Sequence, residues 1–116
     1  MITEKLREKL YDKLIRTAQA RRVVTYSDIA PMLFLKMDNP VDRNTIGDIL
    51  GEISRDEHEH GRPMLSAVVV HGEDKSPGGG FFVLAKELGR FVDGDKLVFY
   101  AKELNAVYDY WKSKSK

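Results

Sequence analysis

The residues of this chain that could do chemistry gather in three places. Asp56, Glu57, His58 and His60 crowd together, and Asp56 and His60, four apart, would share a helix face as two metal ligands do. Glu73 and Lys75 follow a run of valines. With Asp56 or Glu57 upstream they are similar to the carboxylate-and-lysine arrangement by which metal-dependent nucleases hold Mg²⁺ and assist an attacking water. Pro77-Gly78-Gly79-Gly80 leads into a helical pattern, where free backbone N–H groups could cradle a phosphate or where the glycines could serve a flexible wing. Each place falls short of a complete site. A third and fourth metal ligand are not visible, Glu73 lies in a turn, and the glycine loop lacks the Lys-Ser/Thr of a Walker loop. We therefore expect no catalytic residue, no metal and no cofactor, and read His71, at the end of the valine run, as a structural histidine.

Composition narrows the remaining choices. The chain has no cysteine, which excludes disulfides, thiolate metal sites and a thiol nucleophile. Its 116 residues, 42% hydrophobic and 32% charged, suit one globular domain spanning 1–116. Nineteen Lys+Arg against eighteen Asp+Glu give a net charge of +1, with no bulk attraction to nucleic acid or lipid. The charges are unevenly placed: residues 1–22 hold seven cations and three acids, residues 43–60 two arginines and five acids. The longest apolar run, Ala30 to Leu35, is far shorter than the roughly 20 residues of a membrane span, and no signal-peptide pattern opens the sequence. The expectation is a soluble cytoplasmic protein without a membrane contact.

The elements that would position these residues follow from periodicity. Leu6, Leu10, Leu14 and Ala18 make one face of a helix from Thr3 to about Ala20, and Val23-Val24-Thr25 reads as a short strand. Ser27 can cap a short helix containing Pro31, and Lys36 to Asp42 reads as a proline-broken loop. Asp42 or Asn44 can cap a third helix from about Arg43 to His60, in which Gly47 and Gly51 would let a neighbour approach closely. Ser66 to His71 suggests a strand buried on both faces, and Gly72 to Gly80 a loop. A fourth helix runs from Phe81 to Gly89. A last one, capped by Asp93 or Asp95, would bury Leu97, Tyr100, Ala101, Leu104, Val107, Tyr108 and Trp111. Three helices before a strand and a glycine connection predict an α+β, mostly helical fold, with a winged-helix-like helix-turn-helix core, a small β-sheet and additional C-terminal helices.

Within that plan, Val24-Thr25-Tyr26-x-Asp28-Ile29-Ala30, Ile46-Gly47, Pro63 before the valine strand, and Gly79-Gly80-Phe81 resemble the DNA-binding domain of O6-alkylguanine-DNA alkyltransferases and alkyltransferase-like proteins. The resemblance covers roughly residues 23 to 81. In that family a Pro-Cys-His-Arg motif carries the alkyl acceptor and its base, whereas Pro63-Met64-Leu65-Ser66 has neither. The resemblance thus implies DNA binding without alkyl transfer. It places Tyr26 on the tyrosine that helps turn out a nucleotide, and Asn44 on the arginine that fills the vacated space.

These readings lead to a non-catalytic macromolecule-binding domain with double-stranded DNA as first partner. DNA would meet Tyr26, Arg43, Asn44, Thr45, Arg21 and Arg22, together with first-helix cations such as Lys5, Lys9, Lys13 and Arg16. The alternative is a protein-interaction module in which Asp48, Glu52 and Asp56, a carboxylate stripe four residues apart, receive a basic partner oriented by Arg55. A metal-dependent nuclease is the third reading.

Overall fold

In the computed structural model, which describes residues 3–114, the chain runs α1 (Glu4–Gln19), β1 (Val24–Thr25), α2 (Tyr26–Ile29) and a 3-10 turn (Pro31–Leu33). It continues as α3 (Pro40–Glu59), a second 3-10 turn (Leu65–Val68), β2 (Val69–Val70), α4 (Gly79–Glu87) and α5 (Lys96–Trp111). The fold is α+β and mostly helical. Its small sheet is a parallel pair, Val24 opposite Val69 and Thr25 opposite Val70. No helix among the described residues is long and apolar enough to cross a membrane.

The centre of the core is the segment 63–70, every residue of which is buried, and α1, α3 and α5 all pack on its 3-10 turn. Because this segment is so short of regular hydrogen bonding, its backbone groups need other partners. The N–H of Met64 donates to Glu103 Oε2 (2.8 Å), that of Ser66 to Ser54 Oγ (3.0 Å), and the carbonyl of Ala67 accepts from the Tyr100 hydroxyl (2.8 Å). Burial pushes the Tyr100 hydroxyl up to about 12, so it remains a donor throughout the neutral range. Arg90 Nε, 2.8 Å from the same Glu103 oxygen, balances the buried carboxylate. The strand expected over Ser66 to His71 therefore contracts to Val69–Val70: side chains from α3 and α5 replace the ladder for its first half.

Prolines open elements here rather than break them. Pro40 occupies the first turn of α3, where a missing N–H costs nothing, and Asn39 Oδ1 accepts from Val41 and Asp42 N–H (2.8 and 3.2 Å). The cap is thus Asn39, not Asp42 or Asn44, and the helix starts three residues before the expected Arg43. Pro31 likewise opens its 3-10 turn, and Thr25 rather than Ser27 caps α2. Asp95 caps α5. On that helix Tyr100, Val107, Tyr108 and Trp111 are buried as expected, but Leu97 is 69% exposed and Ala101 also faces solvent. Glu103 takes their place inside, because the helix is turned to offer that carboxylate to Met64. The close approach expected at Gly47 and Gly51 is absent: an added Cβ would meet nothing at Gly47 and only Leu84, at 4.0 Å, from Gly51. Helix α3 meets the core instead through Ile46, Ile49, Leu50 and Ile53.

Removing one member of a buried charged cluster leaves the others unpaired, so Glu103→Ala should destabilise the fold by about 3 kcal/mol in chemical denaturation. Glu103→Gln should cost less, because its amide oxygen still accepts from Met64. A cost for Glu103→Ala below about 1 kcal/mol, the worth of one ordinary hydrogen bond, would contradict this role.

Candidate functional site

Helix α1 carries its polar chemistry in a line. Lys9, Lys13 and Arg16 recur at i, i+4 and i+7 on the side away from the buried Leu10, Leu14 and Ala18. Across from them the chain returns through Arg22, Val23 and Val24 and then through Met32. The result is a groove of about 630 Å³ with four cations on its walls, Asp12 as the acid, and an apolar floor that includes Val24 and Met32. Arg7, Arg21, Arg55, Arg62 and Arg90 all pair with carboxylates, whereas Lys9, Lys13, Arg16 and Arg22 form no ion pair among the described residues. These four cations line the groove side by side, with Asp12 as the acid among them and Asp28 near enough to Lys13 to feel its charge.

The arginine pair expected to act together is split. Arg21 adopts a left-handed backbone (φ 54°), and its guanidinium lies over the Tyr108 ring (5.0 Å) and 3.5 Å from Asp109, on the α5 side. Arg22 alone reaches the groove.

Tyr26 follows β1 directly. Its neighbour Thr25 accepts from the Asp28 N–H (3.1 Å), while Asp28 accepts from the Thr25 N–H (3.0 Å), and this reciprocal cap fixes the first residue of α2. The Tyr26 ring packs on the His71 imidazole, centroids 4.8 Å apart, and its hydroxyl sits where a Cβ on Gly78 would come within 2.7 Å. Burial raises the Tyr26 pKa, partly offset by the Gly78 backbone hydrogen bond. The structure therefore joins Tyr26 to the glycine loop and to His71, which is an exposed partner of an aromatic ring rather than a core histidine. Gly79 and Gly80, expected in the loop, form the first turn of α4.

The early turns of α3 present Arg43 and Asn44 to solvent, with Thr45 half-buried. Arg43 Nη1 donates to the Met37 carbonyl (2.8 Å), and the Thr45 hydroxyl donates to the Val41 carbonyl (3.0 Å), which leaves Asn44 with its amide facing water.

The acidic side of α3 is largely engaged within the molecule. Arg7 binds Asp56 (2.9 Å) and reaches Glu52 (4.0 Å), while Arg55 binds Glu87 (2.9 Å). Glu57, 1% exposed, receives Arg62 (2.7 and 3.0 Å) and the Tyr11 hydroxyl (3.0 Å). Burial first, and the Glu57 charge second, push Tyr11 up to about 12. Of the expected stripe, Asp48 alone lies outside these pairs. His58 lies beside Arg90 and His60 beside the Asp56 carbonyl, while Glu73 is exposed in the loop after β2. Among the described residues no three His, Asp or Glu side chains are grouped to hold a metal. Met64 and Leu65, after Pro63, are fully buried.

Two features of this surface escaped pattern reading. Met32 and Phe34 belong to the apolar run Ala30 to Leu35, yet Met32 lines the groove and Phe34 is 83% exposed.

The Thr25–Asp28 cap makes a pH-dependent prediction. The Thr25 N–H and hydroxyl hold the Asp28 carboxyl below its usual range. Its contribution is therefore complete above the ordinary aspartate pKa of about 3.9 and disappears as pH falls through the lower folded value. Asp28→Ala should cost about 1 kcal/mol at neutral pH. In melts at stepwise lower pH the gap to wild type should close; a gap that widens in acid would contradict the assignment. Set against protein-family models, characterised proteins and solved structures, the chain finds no match.

Proposed function

We propose that this chain is a non-catalytic, winged-helix-like domain that binds double-stranded DNA, with α2 and α3 as its helix-turn-helix and the α1 groove as its phosphate seat. The observation that carries the reading is the row of unpaired cations. From Lys9 to Arg16 the helix advances about 10 Å, the axial rise of about three base pairs of duplex at 3.4 Å each. A cation already paired with a carboxylate gains little from a phosphate, whereas these four form no ion pair among the described residues. Arg43, Asn44 and Thr45, near the start of α3, are the groups suited to base edges, and Tyr26 opens α2 with its ring on His71 and its hydroxyl at Gly78. The resemblance to alkyltransferase-like proteins supports the same reading, as does the replacement of the alkyl-accepting motif by Met64 and Leu65 in the core.

The rival module, in which Asp48, Glu52 and Asp56 capture a basic partner, is weakened by Arg7, which already holds two of the three. The nuclease reading needs Glu73 and Lys75 to meet Asp56 or Glu57, and those acids are committed to the α1–α3 contact.

Duplex binding followed by fluorescence anisotropy should weaken linearly on a log–log plot as salt rises, by about 0.9 per phosphate neutralised. Replacing Lys13 and Arg16 together by Gln should lower the affinity and reduce that slope by about 2. Absence of binding at about 50 mM salt, or a double variant with an unchanged slope, would overturn the proposal.

A further inference from the structure

Phe34 combines two unfavourable features that no packing requirement explains. Its side chain is 83% exposed, and its backbone holds the left-handed conformation (φ 61°) that side-chain-bearing residues avoid. Glycine or asparagine would suit both the dihedral angle and the water better. The conformation is fixed from both sides: Phe34 N–H donates to the Pro31 carbonyl and Leu35 N–H to the Ala30 carbonyl, each at 3.0 Å, while Leu33 is anchored in the core. The ring is therefore presented, not left loose.

Its surroundings say what it is presented to. Two residues before it, Met32 lines the cationic groove. On its other side the Lys36 N–H donates to Asp42 (2.9 Å) and Arg43 reaches back to the Met37 carbonyl (2.8 Å), so the loop carrying Phe34 is strapped to the first turns of α3. Val41, in the first turn of α3, is 69% exposed as well. Along the chain Phe34 stands between Met32, which shares the groove with Lys9, Lys13, Arg16 and Arg22, and the exposed cations Lys36 and Arg43. An apolar point among cations is complementary to a base stack bordered by phosphates.

We propose that Phe34 is a stacking wedge, which enters a base step of duplex DNA while the flanking cations hold the phosphates on either side. This rests on the DNA-binding reading and adds to it a recognition element. Insertion of an apolar side chain unstacks a step at a cost that favours deformable sequences.

The test uses the full chain and a duplex with 2-aminopurine at a central TA step. Wild type should bind with a rise in 2-aminopurine fluorescence as the base unstacks. Phe34→Gly, which suits the φ angle and should melt no lower than wild type, should bind at least tenfold more weakly. It should also lose the fluorescence rise and keep the salt slope. Phe34→Trp should restore both affinity and fluorescence. If wild type binds with the expected salt slope but Phe34→Gly binds equally well, or no fluorescence rise occurs, the wedge is wrong and the DNA reading survives. If Phe34→Gly leaves DNA binding intact and instead reduces self-association in sedimentation, the ring serves a protein contact and the wedge is overturned. If wild type does not bind the duplex at all, both readings fall together.

Discussion

The burial of residues 63–70 is the constraint on which the other elements depend. An apolar segment that is neither a full strand nor a full helix cannot be buried unless its amides and carbonyls are paired, and an unpaired group costs roughly 1–3 kcal/mol. Here Ser54 from α3 and Glu103 and Tyr100 from α5 supply partners to Ser66, Met64 and Ala67, the 3-10 turn pairs Ala67 N–H with the Met64 carbonyl, and β1 pairs with Val69 and Val70. The requirement fixes how α3 and α5 are rotated about their axes. It explains why a glutamate is buried while Leu97 is not, and why Arg90 must be present to balance the charge.

That rotation also sorts the charges at the surface. On α3 it turns Glu57 inward to Arg62 and Tyr11 and places Asp56 and Glu52 beside Arg7, so three of the five acids of residues 43–60 have partners within the molecule. Arg7 lies on one flank of α1, and Lys9, Lys13 and Arg16 face away from this contact into the groove with Arg22. A chain with a net charge of +1 thereby acquires one locally cationic face, invisible to the bulk composition.

The helical skeleton and much of the cationic face were legible in the sequence. The four-residue spacing of Leu6, Leu10, Leu14 and Ala18 requires α1, and the same spacing aligns Lys9 and Lys13 on its other side. Gly61 and Gly89 mark the ends of α3 and α4, where φ is +74° and +75°. Other features depend on contacts between residues far apart in the chain. Ser66 to His71 has the composition of a strand, and only the side chains of Ser54 and Glu103 make a 3-10 turn the better solution for its first half. Asn39 and Asp42 are equally plausible caps by type; what decides is the pre-organised φ of Pro40, which suits the first helical position. The outward turn of Phe34 and the diversion of Arg21 to α5 both depend on positive φ angles, which no apolar or charge pattern encodes.

Backbone amide shifts recorded while a short duplex is titrated into the chain would test most directly the proposal that its cationic face binds DNA. The largest changes should cluster on Lys9 to Arg16, Arg22 to Val24, Met32 to Lys36 and Arg43 to Thr45, with those of Glu52, Asp56 and Glu87 nearly still. Saturable changes centred on the acidic side of α3, or none at any duplex concentration in low salt, would contradict the placement of DNA in the α1 groove.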